Sequence, residues 1–185
     1  MNDERIFELF ICGERAMFGV LMERYQKPLY HYLLRYTGNT TLSEEILQET
    51  FVKVFQKCEM YTRGKPFKPW LYKIACNTAK DKLKQKKQQS LAEKEEPMTK
   101  TANSPVHHLH CKEIGEMIDK AVAKLPPNQK QVFILREYEK MSYVDISIAV
   151  ERPLNTVKSD MRRALKSLRD LLTSLTDIAM KGKYI

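Results

Sequence analysis

From about Lys86 to Cys111 the chain reads KKQQSLAEKEEPMTKTANSPVHHLHC and loses its apolar periodicity. On both sides of this stretch, apolar residues return at steps of three, four and seven, the spacing of one buried face on an α-helix. A chain with helical spacing on either side of one polar segment can fold into little besides two helical bodies on a tether. The expected fold is therefore all-α: two small helical domains joined by a flexible linker, with the linker at 89–112 between a domain at 1–88 and a domain at 113–185. The 6 glycines and 8 prolines in 185 residues also favour helices over a β-sandwich.

The C-terminal half holds the sharper pattern. Pro153 to Leu175 places Val157, Met161, Ala164, Leu165, Leu168, Leu171, Leu172 and Leu175 on one face. Lys158, Ser159, Arg162, Arg163, Lys166 and Arg169 fall on the other. Pro153 cannot continue a preceding helix, and Asn155 suits an N-cap. Just upstream, Ser142–Val150 reads as a short amphipathic helix with Val144, Ile148 and Ile146 turned inward. Two helices joined by a short turn, the second basic outside, read as a helix-turn-helix. Glu151–Arg152 stands in that turn where a glycine is expected. Before it, Glu113–Leu125 and Asn128–Tyr138 resume helical spacing on either side of LPPNQ.

The net charge of +9 points to a polyanionic partner, nucleic acid before a membrane surface. The charge divides as +6 over residues 1–90, zero over 91–112 and +3 over 113–185, so both expected domains are basic. No run of 18 apolar residues exists, so no membrane insertion is expected. The acidic N-terminus lacks a signal-peptide pattern, which with four cysteines and no CxxC pair points to the cytoplasm and reduced thiols. His107, His108, His110 and Cys111 cluster at the end of the linker, but their spacing matches no common zinc module, so no metal and no cofactor is expected.

In the N-terminal half, residues 14–37 carry a Tyr-rich helical face that Pro28 is expected to kink or divide. A second helix is expected from Ser43 to about Lys57, with Ile46, Leu47, Thr50, Phe51, Val54 and Phe55 inside and Glu45, Gln48, Glu49 and Lys53 outside. The loop 58–69 interleaves Tyr61, Arg63, Lys65, Phe67 and Lys68, rings and cations that suit a single strand of nucleic acid. A helix over Trp70–Lys87 follows, with Pro69 at its start. Lys73, Asn77, Lys80, Lys84 and Lys87 recur at four and three residues and form one cationic stripe.

At this level the chain resembles an extracytoplasmic-function sigma factor, the two-domain class of bacterial RNA polymerase initiation subunits. SEEILQETFVKVF (43–55) and FKPWLYKIACNTAKDKLKQ (67–85) are similar to that family's polymerase-clamp and promoter-melting segments. LPPNQKQVFILREYEKMSYVDI (125–146) and NTVKSDMRRALKSLRDLL (155–172) resemble its promoter-reading module. The resemblance implies that Glu45, Gln48, Glu49 and Phe51 dock on the clamp of core RNA polymerase. It implies that Tyr61, Arg63, Lys65, Lys73, Asn77, Lys80 and Lys84 hold the melted minus-ten promoter DNA, and that Asn155, Thr156, Lys158, Ser159, Arg162 and Arg163 enter the major groove at the minus-thirty-five element. An anti-sigma factor, often membrane-anchored, is the implied regulator, and a stress or envelope response the implied setting. The chain departs from the family pattern at Val150–Glu151, which replaces Leu–Gly, and at Asp160, where arginine is frequent. Asp160 would there repel a phosphate or accept from a cytosine amino group.

A stand-alone helix-turn-helix regulator is the rival reading, but it leaves the 43–55 helix and the aromatic-basic loop without a purpose. An enzyme is not expected, because no His/Asp/Glu cluster has acid–base or metal spacing.

Overall fold

The computed structural model describes residues 1–93 and 109–181, and among them every regular element is helical. The order is α1 (Asp3–Ile11), α2 (Ala16–Thr37), α3 (Thr40–Gln56), a single 3₁₀ turn at Cys58–Met60, α4 (Phe67–Glu93), α5 (Leu109–Ala123), α6 (Pro127–Glu137), α7 (Tyr143–Val150) and α8 (Leu154–Lys181). His107 and His108 lie outside the described residues, as do the side chains of His110 and Cys111.

Helix α1 is not foreseen by the periodicity argument, yet it anchors the N-terminal half. Asn2 caps it by accepting from the Arg5 N–H at 3.1 Å, and Asp3 and Glu4 suit its positive end. Its Phe7 is fully buried, with ring centroids 4.7 Å from Phe67, 5.0 Å from Tyr61 and 5.2 Å from Trp70. Glu4 reaches across the sequence to accept from the Phe67 N–H at 3.1 Å, which satisfies an otherwise orphaned donor at the start of α4. Glu4→Ala should cost about 1 kcal/mol, as loss of a cap does. A thermal melt beside wild type checks this, and an unchanged midpoint would make the contact incidental.

Several boundaries depart from expectation. Pro28 does not divide α2, because its ring lies on the solvent side while Tyr25 and Leu29 hold both halves in the core. Gly38, at φ 70°, ends the helix, its N–H bonded to the Leu34 carbonyl at 2.8 Å. Helix α3 starts at Thr40 under an Asn39 cap, not at Ser43. Ser43 is instead fully buried, donating to the Asn39 carbonyl at 2.6 Å. Helix α4 begins three residues before Trp70 and runs to Glu93, beyond the expected start of the linker, over strong helix formers. Asn155 is not the cap of α8: that helix starts at Leu154, and Asn155 sits in its first turn. Ser142 caps α7 reciprocally, accepting from the Asp145 N–H at 3.1 Å and donating to its carboxylate at 2.7 Å. On α7 the inward residues are Ile146, Ala149 and Val150, while Val144 and Ile148 face outward.

Helices α1 to α4 pack around the Phe7 cluster, and α8 packs on α5, α6 and α7. The two groups also meet: α4 lies against α7, and α2 against α6. Gln131 of α6 is fully buried there and donates to the Tyr32 hydroxyl at 3.2 Å, and that hydroxyl lies 3.1 Å from the buried Cys76 thiol. Burial pushes the Cys76 thiol up to about 11. No described helix is long and apolar enough to cross a membrane.

Candidate nucleic-acid and protein interfaces

Three surfaces emerge. The first is an apolar groove of about 740 Å³ between α2 and α3. Its floor is aromatic: Phe18 lies 6.3 Å from Phe51 and 5.5 Å from Phe55, both edge-on. Its lip carries Met22, Val52 and Phe55 at 37%, 53% and 46% exposure. Apolar side chains left contiguous and open, with Gln48, Gln56 and Glu44 at the rim, are what a protein-binding surface looks like.

The four residues expected to dock on a protein separate here. Gln48 and Phe51 line the groove, Phe51 as part of its buried floor. Glu45 and Glu49 turn to the other side of α3 and pair with α4. Lys82 lies 4.0 Å from Glu45 and 3.3 Å from Glu49, and Lys53 lies 2.7 Å from Glu49. The Lys53 hydrogen bond holds the Glu49 carboxyl below its usual range, so its ion pairs stay charged at neutral pH and fade as pH falls through and below 4.5. Phe55, expected inside, stands open at the lip, and Phe18, Met22 and Val52 were not foreseen as part of the groove. The signal was there, since the apolar arc of α3 is wider than one buried stripe needs.

The second surface is the cationic face of α4 with the loop before it. Lys73, Asn77, Lys80 and Lys84 do share one side, and Arg63 and Lys65 are exposed on the loop around Gly64, whose φ is 75°. Tyr61 does not stand free as a stacking ring: it is 5% exposed, packed on Phe7 and Trp70, with its hydroxyl on the Lys65 carbonyl. Met60, at 73% exposure, is the open apolar side chain of this loop. Lys73 and Asn77 are occupied by the same carboxylate, Glu151, at 2.8 Å and 2.7 Å.

The third surface is the outer face of α8. Asn155, Thr156, Lys158, Arg162 and Arg163 are exposed and Ser159 half-buried, so the face meets solvent unobstructed by the rest of the described chain. Asp160 is different. It is buried at 6% exposure and paired with Arg152 of the turn, so it presents no free carboxylate on the outer face of α8. Glu151 adopts the left-handed conformation at φ 55° that the turn demands, and Arg152 continues it by bonding Asp160 and the Asn128 carbonyl. Among the described residues, no group of His, Cys, Asp and Glu could hold a metal ion.

Comparison with known proteins gives the family of the chain. A family model described as Sigma-70 region 2 matches residues 21–89, and one described as Sigma-70, region 4 matches residues 115–168. The chain is 28% identical over 185 residues to the ECF RNA polymerase sigma-E factor of Haemophilus influenzae, covering 95% of this chain and 97% of that one. It is 27% identical over 184 residues to the RNA polymerase sigma-H factor of Pseudomonas aeruginosa, covering 94% and 95%. Among solved structures, the sigma factor RpoE in complex with the anti-sigma factor NepR from Bartonella quintana aligns with a TM-score of 0.75 at 21% identity, over 84% of this chain and 96% of that one. CnrH in complex with the cytosolic domain of CnrY aligns with a TM-score of 0.71 at 18% identity, over 93% and 97%. These last two similarities are of fold.

Proposed function

This chain belongs to the extracytoplasmic-function sigma factors, and from that premise we propose how its three surfaces divide the work of directing core RNA polymerase to specific promoters. It is a transcription initiation factor, not an enzyme. The α2–α3 groove docks on core polymerase, with Phe55, Val52 and Gln48 at its lip. The loop 58–66 and the α4 face, through Arg63, Lys65, Lys73, Asn77, Lys80 and Lys84, hold the unpaired strand of the minus-ten element. The outer face of α8, through Asn155, Thr156, Lys158, Ser159, Arg162 and Arg163, enters the major groove at the minus-thirty-five element. The domains are then the α1–α4 and α5–α8 bodies, joined by the segment between Glu93 and Leu109. The factor works in the cytoplasm, in a stress or envelope response, under an anti-sigma partner such as the one that accompanies the RpoE relative.

The observation that carries this division is spatial. The apolar groove on α2–α3, the cation stripe on α4 and the open basic face of α8 are three separate surfaces, each with its own chemistry. A stand-alone DNA-binding regulator has no use for the first. Strand capture needs no catalytic group: taking a base out of the stack costs a few kcal/mol, and stacking with pocket contacts worth about 1–3 kcal/mol per base offsets it.

Lys80→Ala with Lys84→Ala should weaken promoter opening and lower the slope of log affinity against log salt by about 1.5, the share of two phosphate contacts on a single strand. Open-complex formation by the reconstituted holoenzyme, measured at several salt concentrations, checks this. An unchanged slope would remove α4 from the DNA interface.

A further inference from the structure

The α4 face assigned to the promoter strand is not empty in the free chain. Glu151 leaves the helix-turn-helix turn and lays its carboxylate on α4, one oxygen 2.8 Å from the Lys73 ammonium and the other accepting from the Asn77 amide at 2.7 Å. Two oxygens of one anion, taken by a cation and an amide, is the contact a phosphodiester would make there. Nearer the start of α4, on the neighbouring face, Glu139 makes a second contact between the halves. Its carboxylate is buried against the Tyr72 hydroxyl and lies 3.8 Å from Lys68, and its carbonyl accepts from the same ammonium at 2.7 Å. Between and behind these anions, Tyr32, Cys76 and Gln131 close without charge, and the Arg35 guanidinium lies 4.1 Å from the Tyr138 ring centre. Two net-basic bodies are thereby held together through two carboxylates, Glu151 on the cation stripe and Glu139 on the neighbouring face at the start of α4.

We propose that the chain carries its own lock: Glu151 of the C-terminal half occupies the strand-binding face of α4 as a phosphate mimic, Glu139 clamps the start of that helix beside it, and the halves must separate before Lys73 and Asn77 can take DNA. This rests on the reading of α4 as the strand-binding face.

The turn residue supplies the device. A glycine would satisfy φ 55° at position 151 without strain but would carry no carboxylate. The closed form occupies Lys73 and Asn77 of the α4 stripe while leaving Lys84 and the α2–α3 groove open, with Val52 53% and Phe55 46% exposed. Polymerase can therefore be met first and the strand face uncovered afterwards. The apparent DNA affinity of the free chain is its intrinsic affinity reduced by the fraction open, so loosening the lock raises both together.

The test uses the full chain with Cys12, Cys58 and Cys111 changed to Ser, which leaves Cys76 as the sole thiol. Cys76 is fully buried between the halves, so its rate of reaction with an aromatic disulfide reports opening. DNA binding is read by the anisotropy of a fluorescein-labelled single-stranded 20-mer of mixed sequence. Glu151→Gln should raise the labelling rate and the DNA affinity by about fivefold, the upper range for a half-exposed ion pair, and Glu139→Gln with Glu151→Gln should raise both further. Parallel rises support the lock. If neither quantity rises, the lock is overturned, and a Lys80→Ala, Lys84→Ala holoenzyme that still shows the lowered salt slope would leave the α4 reading standing. If labelling rises while DNA affinity does not, the lock is overturned together with the assignment of α4. Should the double variant fail to fold, Glu151→Gln alone decides, since that side chain is 48% exposed and its loss removes no core contact.

Discussion

Replacing Phe55 by aspartate should lower the affinity of this sigma factor for core RNA polymerase about a hundredfold, close to 3 kcal/mol. The aromatic ring is 46% exposed at the lip of the α2–α3 groove, so part of its surface is waiting for a partner. An aspartate there would face the same partner with a charge that the apolar floor of Phe18 and Phe51 cannot satisfy. Phe55 also touches Phe10 at 5.3 Å, so the variant loses some internal packing. Val52→Glu is the control, because Val52 is 53% exposed and should give the same loss of association with an unchanged melt. Glu45→Ala and Glu49→Ala should behave oppositely. Their carboxylates are spent on Lys82 and Lys53, so the variants should bind polymerase within about threefold of wild type, as exposed ion pairs are worth little. Surface-immobilised core polymerase and the four variants give the answer. If the glutamates matter and Phe55 does not, the docking face lies on the α3–α4 side.

The helices themselves were legible because the period of the apolar residues is a local property. What periodicity could not supply was which of two neighbouring apolar residues faces the core. Val144 and Ile148 have helical spacing with each other, as Ile146, Ala149 and Val150 do; packing of α7 against α4 and α8 selects the second set. Phe55 looked like core for the same reason, since a spacing rule cannot tell a buried ring from one held open for a partner. Helix α1 was missed because nine residues carry too few repeats to stand out, and its stability comes from distant partners: Phe67, Trp70 and the capped start of α4. Tyr61 shows the converse. Its aromatic-basic surroundings fit a stacking platform, but Phe7, 54 residues earlier in the chain, claims the ring for the core. On α8 the exposure of Lys158, Arg162 and Arg163 was readable, but Leu165, expected on the buried face, is 49% exposed.

Asp160→Ala should destabilise the C-terminal half by about 2–3 kcal/mol and leave promoter base preference unchanged. Read as sequence, an acidic residue among the reading positions of α8 invites a role in specificity. Its surroundings give it another task. Asp160 is 6% exposed and its carboxylate holds Arg152, whose side chain is only 18% exposed and whose Nε is already buried without a partner. Removing the carboxylate leaves a guanidinium largely shut away from water with only the Asn128 carbonyl, at 3.4 Å, as a weak acceptor. Stripping one member from a fully buried pair costs about 3–5 kcal/mol, and the remaining exposure of Arg152 lowers that figure here. For a helical unit of this size the loss should move the melting midpoint on the order of 10 °C. Arg152→Met with Asp160→Leu should recover most of it, because apolar replacement removes both desolvation costs at once. Arg163 lies 4.0 Å from the same carboxylate but is 71% exposed, so it contributes little to the pair and stays available to DNA. Melting curves of the three proteins, set beside transcription from promoters altered one upstream base at a time, separate the two roles. A variant that melts like wild type yet changes its base preference would return Asp160 to the reading face.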